Sequence, residues 1–252
     1  MIFDTGIDVS RYQNQPITDA AGKIVGYKPL DYAKAKAQGI AFAAVRCTVG
    51  NYYIDPTFVM NYLGFVGQGL ETYAYMVVAP KGNIGGLSIG AAQHIEKLEE
   101  AFALLPERPK TEVILDCEMD RGATVQYITA LIEKIASLLQ PASIIYTRKS
   151  WWDPYVLRSS RWKQYKLHVA HYGVSVPALP LDWDDWFIHQ YSADGNGLGK
   201  QYGCYSASVD LNRRKVEVQP PPPPDVPERV KANIQVAVDS VQYVGEVYLT
   251  KI

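Results

Sequence analysis

Two rhythms of apolar and polar positions alternate along most of the chain. Residues 2–9, 40–47, 72–78, 113–117 and 143–146 are short apolar stretches of the length expected for buried strands. Between them, residues 30–38, 56–66, 89–105 and 124–139 repeat apolar positions at helical spacing, most regularly in the last segment. Gly39 follows the first of these as a C-cap glycine would, and Pro106 and Pro109 end the third. Three more strands are expected at 166–170, 187–191 and 206–211, with little helix between them. About eight strands in repeated βα units predict an α/β fold closed into a parallel, TIM-like (β/α) barrel, irregular in its last third.

The pattern breaks at the prolines 220–224, followed by Pro227. Consecutive prolines lack backbone donors and favour an extended, semi-rigid spacer. The organisation expected is therefore a barrel over 1–217, a proline-rich linker over 218–228 and a short β-rich tail over 229–252. In that tail Ile234, Val236 and Val238 alternate with polar or small residues, and a second β-rich run covers 244–249, which reads as a hairpin. Two strands are marginal alone, so the tail is expected to pack on something or to be the stub of a larger module, with cell wall or another protein as what it binds.

Composition narrows the function classes. Net charge is −1, which gives no bulk field to hold nucleic acid or an anionic membrane. No apolar run reaches the roughly 18–20 residues a membrane helix needs, so no membrane insertion is expected. Residues 1–10 lack a basic segment followed by an apolar core, so no signal peptide is expected and synthesis is placed in the cytoplasm. The three cysteines, Cys47, Cys117 and Cys204, have no metal-ligand spacing and are read as buried thiols. Neither metal nor cofactor is implied. The 18 Tyr and 5 Trp against 6 Phe supply apolar faces with polar tips, which suit sugars and ordinary cores alike.

In such a barrel the catalytic groups sit at the C-terminal ends of strands. Acids fall there repeatedly: Asp8 closes the first strand, Asp116 and Glu118 the fourth, and Asp210 lies near the end of the last. Residues i and i+2 of a strand face one side, about 6.5–7 Å apart. Two carboxylates projecting into one cleft raise the pKa of at least one, leaving an acid to donate a proton and an ionised partner to stabilise positive charge or attack. Glycoside hydrolysis needs that division. A solvated strand end carrying acids is the bland alternative.

The ordered motifs Gly6-Ile7-Asp8-Val9-Ser10, Asp55-Pro56-Thr57-Phe58, Tyr73-Ala74-Tyr75, Leu115-Asp116-Cys117-Glu118, Ile145-Tyr146-Thr147, Val169-Ala170-His171-Tyr172-Gly173, Gln190-Tyr191-Ser192 and Val209-Asp210-Leu211-Asn212-Arg213 span residues 4–213. Together they resemble the glycoside hydrolase family 25 lysozymes of the Chalaropsis type, which include many phage endolysins. The resemblance implies a flattened, irregular barrel and cleavage of the β-1,4 bond between N-acetylmuramic acid and N-acetylglucosamine in peptidoglycan glycan strands, without metal or cofactor. By matched position Glu118 resembles the general acid and Asp116 its partner carboxylate. Asp8 and Asp210 resemble the acids flanking the cleft. Tyr75, Tyr146 and Tyr172, with Gln190, resemble residues that contact the sugar. The resemblance implies action at the bacterial wall, and the absent signal peptide, proline spacer and small tail suggest a phage or prophage endolysin that acts after phage-mediated release.

Several positions depart from that pattern. His168 and His189 stand where the family often has Trp, and both are expected to be packed neutral rings. Val49 stands where the family often has Glu. Residues 14–28 look long and are expected to form a loop at the cleft rim. Trp151, Trp152 and Trp162 suit cleft or core equally, and Asp182, Asp184 and Asp185 are read as a structural turn rather than a cation site. The departures motivate a rival reading, a wall-binding or phage structural module on the same barrel. An amidase or peptidase finds no ligand or nucleophile constellation to support it.

Overall fold

The computed structural model describes residues 2–82, 88–139 and 143–216, and the strand backbone of 229–238 and 241–250. It divides into two compact units, residues 1–216 and 217–252. The first opens with β1 (Phe3–Val9), the hairpin β2 (Gln15–Thr18) and β3 (Ile24–Lys28), α1 (Tyr32–Ala37), β4 (Ile40–Val49) and the two-residue β5 (Tyr53–Ile54). It continues with α2 (Phe58–Gly67), β6 (Glu71–Val77), α3 (Ala91–Phe102), β7 (Ile114–Asp116), α4 (Val125–Leu138) and β8 (Ile144–Thr147). Last come α5 (Lys149–Tyr155), β9 (Lys166–Ala170), β10 (Ile188–Ser192) and β11 (Asp210–Lys215).

Eight strands close a barrel in the order β1, β4, β6, β7, β8, β9, β10, β11, with β11 returning to β1. Neighbours are parallel except β11, which is antiparallel to both β10 and β1. The period-two alternation of each strand builds two cores. Outward residues such as Ile7, Val45, Met76, Leu115 and Ile145 pack with Phe58, Leu98, Ile128, Ile132 and Ile135 of the helices. Inward residues Phe42, Ala44, Tyr73, Ile114, Ile144 and Ile188 fill the barrel. Burial of both faces makes the strands read as near-continuous apolar runs. Gly6 is glycine for a packing reason: a Cβ there would lie 2.3 Å from the Phe42 ring.

The helices are placed by local signals. Thr124 caps α4, its hydroxyl accepting from the Tyr127 amide at 3.3 Å. Asp31 caps α1 in the same way from Lys34 at 2.9 Å, and Gly39 takes the left-handed φ of +84° that lets the chain turn into β4.

The N-terminal end of the barrel is sealed by Arg214. Its guanidinium lies 4.7 Å from the Phe42 ring centre and donates to Asp4 and to the Tyr73 hydroxyl, each at 2.8 Å, and also to Glu71. Every charge there has a partner.

The last strand differs from the expectation of 206–211. It runs Asp210–Lys215, so Asp210 opens it rather than lying near its end. The reason is twofold. Ala207 is held by the Gly199 amide at 2.7 Å in a loop outside the sheet, and the polar run Asn212-Arg213-Arg214-Lys215 makes strand because its side chains find partners. Residues 14–28, expected as a loop at the cleft rim, form the β2–β3 hairpin, and none of them lines the cleft described below.

Trp151, Trp152 and Trp162 are core residues. Trp152 stacks edge-on with Trp162 and Trp183 at 5.0 and 4.9 Å and donates to Asp182 at 2.9 Å. Asp184 pairs with Lys163, and Asp185 with Lys215. The cysteines are free and buried. Among the described residues no helix is long and apolar enough to cross a membrane.

In the second unit, β12 (Arg229–Val238) and β13 (Val241–Thr250) pair antiparallel from Arg229↔Thr250 to Val238↔Val241, longer than the runs the sequence suggests. The expected linker, 218–228, lies outside the described residues.

Candidate active site

A cleft of about 220 Å³ opens at the C-terminal ends of the parallel strands. Asp8, Asp116, Glu118 and Asp210 all line it, with Tyr75, Tyr146 and Gln190. The antiparallel direction of β11 explains Asp210: the start of that strand lies beside the ends of its neighbours, and Asp8 and Asp210 are directly paired across β1 and β11. Asp116 ends β7 beside Tyr146 of β8. Cys117 turns outward into the helix-facing core, and Glu118 returns to the cleft.

Tyr172 is the one expected residue outside this lining. It is half exposed and borders a neighbouring hollow, but its hydroxyl donates to Gln190 Oε1 at 3.0 Å. Tyr146 donates to the same oxygen at 3.0 Å, and Gln190 Nε2 donates to Asp8 Oδ2 at 2.6 Å. Gln190 is buried, and these three bonds make it the link between two tyrosines and one acid.

Four carboxyl groups in one cleft cannot all ionise cheaply. Burial pushes Asp8 up to about 6, opposed chiefly by the hydrogen bond from Gln190. Burial, then the charges of Asp8 and Glu118, push Asp210 up to about 8. Asp116 is driven well above the usual carboxylate range by burial, then by Glu118 and Asp8. Glu118 is raised by burial and held back by the Arg148 guanidinium. Asp8 Oδ1 and Asp116 Oδ1 are buried with no protein partner. The cleft therefore keeps protons near neutral pH and presents acceptors that the fold leaves unfilled.

Arg46 and Met119 also line the cleft, and sequence reasoning passed over both. Arg46 had a visible signal, a lone cation inside the apolar run of β4. Its Nε donates to the fully buried Asp55 at 2.8 Å, and Asp55 also accepts from Thr57 Oγ1 at 2.8 Å. The Asp55-Pro56-Thr57 segment thus anchors a cation in the cleft wall. Met119 carried no signal that sets it apart from core methionines.

The departing histidines are both neutral. His168 lines the cleft floor, bonded through Nε2 to Asn212 Oδ1 at 2.8 Å, and burial lowers its pKa to about 3. His189 is lowered by burial as well. Its Nε2 bonds the His171 carbonyl at 2.7 Å, so that nitrogen carries the proton and Nδ1 accepts from Arg213 at 3.2 Å. Val49 lines the cleft, where the resemblance led to an acid. Among the described residues no group of acids, histidines and cysteines is arranged to hold a metal ion.

The model of glycosyl hydrolases family 25 matches residues 7–200. Lysozyme M1 of Streptomyces globisporus is 25% identical over 225 residues, a match that takes in 82% of this chain and 66%, just under two thirds, of that protein. Two solved structures share the fold. The bacterial lysozyme of Streptomyces coelicolor has a TM-score of 0.66 at 21% identity, covering 85% of this chain and 93% of that one. The catalytic domain of an endolysin from a Listeria monocytogenes bacteriophage has a TM-score of 0.59 at 17% identity, covering 85% and 94%.

Proposed function

The chain belongs to glycosyl hydrolases family 25, and from that premise we propose that it is a lysozyme, a muramidase cutting the β-1,4 bond between N-acetylmuramic acid and N-acetylglucosamine in bacterial peptidoglycan. One observation carries the reading: Asp8, Asp116, Glu118 and Asp210 meet in a single cleft walled by Tyr75 and Tyr146, and burial raises every one of the four. Glycoside hydrolysis needs a proton for the departing oxygen and negative charge for the oxocarbenium-like centre. In this reading Glu118, which burial raises and which matches the family's general acid by position, gives its proton to the glycosidic oxygen, which leaves with the bonding electrons. Asp116, or the substrate's own acetamide, stabilises the positive carbon. Water then adds there and returns a proton to Glu118.

Asp8 and Asp210 keep the cleft's protons in place. Tyr75 and Tyr146 face the sugar, and Tyr172 stands at the edge. Gln190 acts by holding Asp8 and the tyrosine hydroxyls, a role its three hydrogen bonds support better than direct contact with substrate. The site of action is the bacterial wall, and the bacteriophage endolysin among the structural neighbours fits release by a phage or prophage. The hairpin tail, in the same reading, binds wall or a partner protein.

The test is reducing-end release from purified peptidoglycan by the wild type and Glu118→Gln. Release by the first and near-total loss in the second support a muramidase, with product analysis naming the bond. Val49 favours the rival, a binding module with little catalysis. Tight binding to several wall chemotypes with no release from any of them would establish it.

A further inference from the structure

Beside the cleft lies a second hollow, of about 580 Å³, bordered by Arg148, Lys149, Asp153, His171 and Tyr172 among others. Arg148 stands one residue beyond β8, exposed; its carbonyl accepts from Trp151 and Trp152, but among the arginine side chains described, its guanidinium alone has no hydrogen bond or ion pair within the protein. The others are all engaged, as Arg46 is by Asp55, Arg161 by Glu133 and Arg214 by Asp4. The second cation of the hollow is already neutralised, because Lys149 pairs with Asp153 at 2.7 Å. The His171 ring accepts the Ala178 amide on Nδ1 at 2.8 Å, which leaves its proton on Nε2. The hollow thus holds a free guanidinium, and the Lys149–Asp153 pair beside it adds no net charge.

Its position relates it to the chemistry. Tyr172 borders the hollow and bonds Gln190, which lines the cleft, so the two spaces share a wall. The Arg148 charge is close enough to act on both Glu118 and Tyr172. An anionic group attached to a sugar in the cleft therefore has a cation waiting within reach. A guanidinium fork matches a carboxylate through two parallel hydrogen bonds.

We propose that this hollow is a subsite for a carboxylate borne on the lactyl-peptide arm of the muramoyl sugar, with Arg148 as its anchor. The proposal rests on the muramidase reading, because that substrate carries such an arm beside the bond to be cut. Two sources share the chemistry: the lactyl carboxylate of a strand without peptide, and a carboxylate of the stem peptide.

The experiment uses three defined glycans, one with stem peptides, one with free lactyl carboxylates and one with those carboxylates capped as neutral methylamides. Each is offered to the wild type, Arg148→Gln and Arg148→Lys, with kcat and KM measured. The expected result is a KM for the preferred anionic strand about tenfold below that for the neutral one, as for one charge-assisted hydrogen bond. Arg148→Gln abolishes that difference, and Arg148→Lys restores part of it. The better of the two anionic strands identifies the source.

An equal change on all three glycans in Arg148→Gln would overturn the subsite, leaving Arg148 only its field on Glu118. So would discrimination absent from the glycans but present as Arg148-dependent inhibition by a glycerol-phosphate polymer, which would make this a phosphate site. Failure of the wild type to cut any strand counts against the muramidase reading instead. The subsite is then decided by the affinities of the same strands for Glu118→Gln with and without Arg148→Gln.

Discussion

The two ends of one barrel handle buried charge in opposite ways. At the N-terminal end a single arginine, Arg214, satisfies Asp4, Glu71 and the Tyr73 hydroxyl together. At the C-terminal end four carboxyl groups crowd one cleft, with Arg46 already committed to Asp55 and two carboxylate oxygens left without a partner. The same strands carry both arrangements, about four residues apart: Asp4 and Asp8 on β1, Arg214 and Asp210 on β11. A matched charge cluster rigidifies the fold, whereas an unmatched one stores an electrostatic demand that substrate or protons fill.

Substitutions should separate the two ends cleanly. The largest effect is expected from Glu118→Gln, a loss of about 10²–10⁴-fold in turnover, the range of general acid catalysis. Its urea midpoint should stay unchanged or rise. Arg214→Met should do the reverse: it leaves the partly exposed Asp4 and Glu71 without their cation and costs about 1–3 kcal/mol of stability in urea titration, with turnover per folded molecule retained. A collapse of activity without loss of stability in Arg214→Met would erase the contrast.

Asp210→Asn sharpens it through pH. The Asp210 carboxyl, held at about 8 in the folded chain, binds its proton more tightly there than when unfolded. Wild-type stability should therefore fall as pH rises from about 4, the unfolded value, to about 8. The asparagine variant lacks this loss, so its advantage grows across that window and levels off above it, reaching at least about 1.4 kcal/mol, the worth of one pKa unit. Thermal melts at pH 5 and pH 9 measure the difference, and an advantage that shrinks with pH would contradict the assignment. The smallest effect is expected from Tyr172→Phe, which removes one of two donors to Gln190 and should cost about 0.5–1.5 kcal/mol, seen as a modest drop in kcat/KM.

The barrel and the acids Asp8, Asp116 and Glu118 were legible because both follow from period and placement, whereas Asp210 reaches the cleft by opening an antiparallel strand rather than by ending one. Apolar strands covered on two faces announce themselves, and an Asp or Glu directly after such a run has nowhere to go but the strand end. What escaped was buried polarity with partners. Asn212, Arg213 and Arg214 look like loop residues on any hydropathy scale, yet they form β11 because His168, His189, Asp4 and Glu71 are there to receive them. Those partners are distant in sequence, so no local pattern announces them. Arg148 is a different case. It lies on the strand-end side of β8 like the acids, but a single exposed arginine becomes informative only once the other arginine side chains described are known to be occupied.

The closure of β1 on β11 also fixes when the protein can work. β1 leaves the ribosome before every other strand of the barrel, but its partner on one side, residues 210–215, is made some two hundred residues later. Pairings of such sequence separation form slowly and late, after local units have condensed. Asp8 and Asp210 come face to face only in that final step, so a chain that stops short of residue 210 carries three of the four acids and no finished cleft. The chemistry that would cut a wall is assembled by the same event that completes the fold.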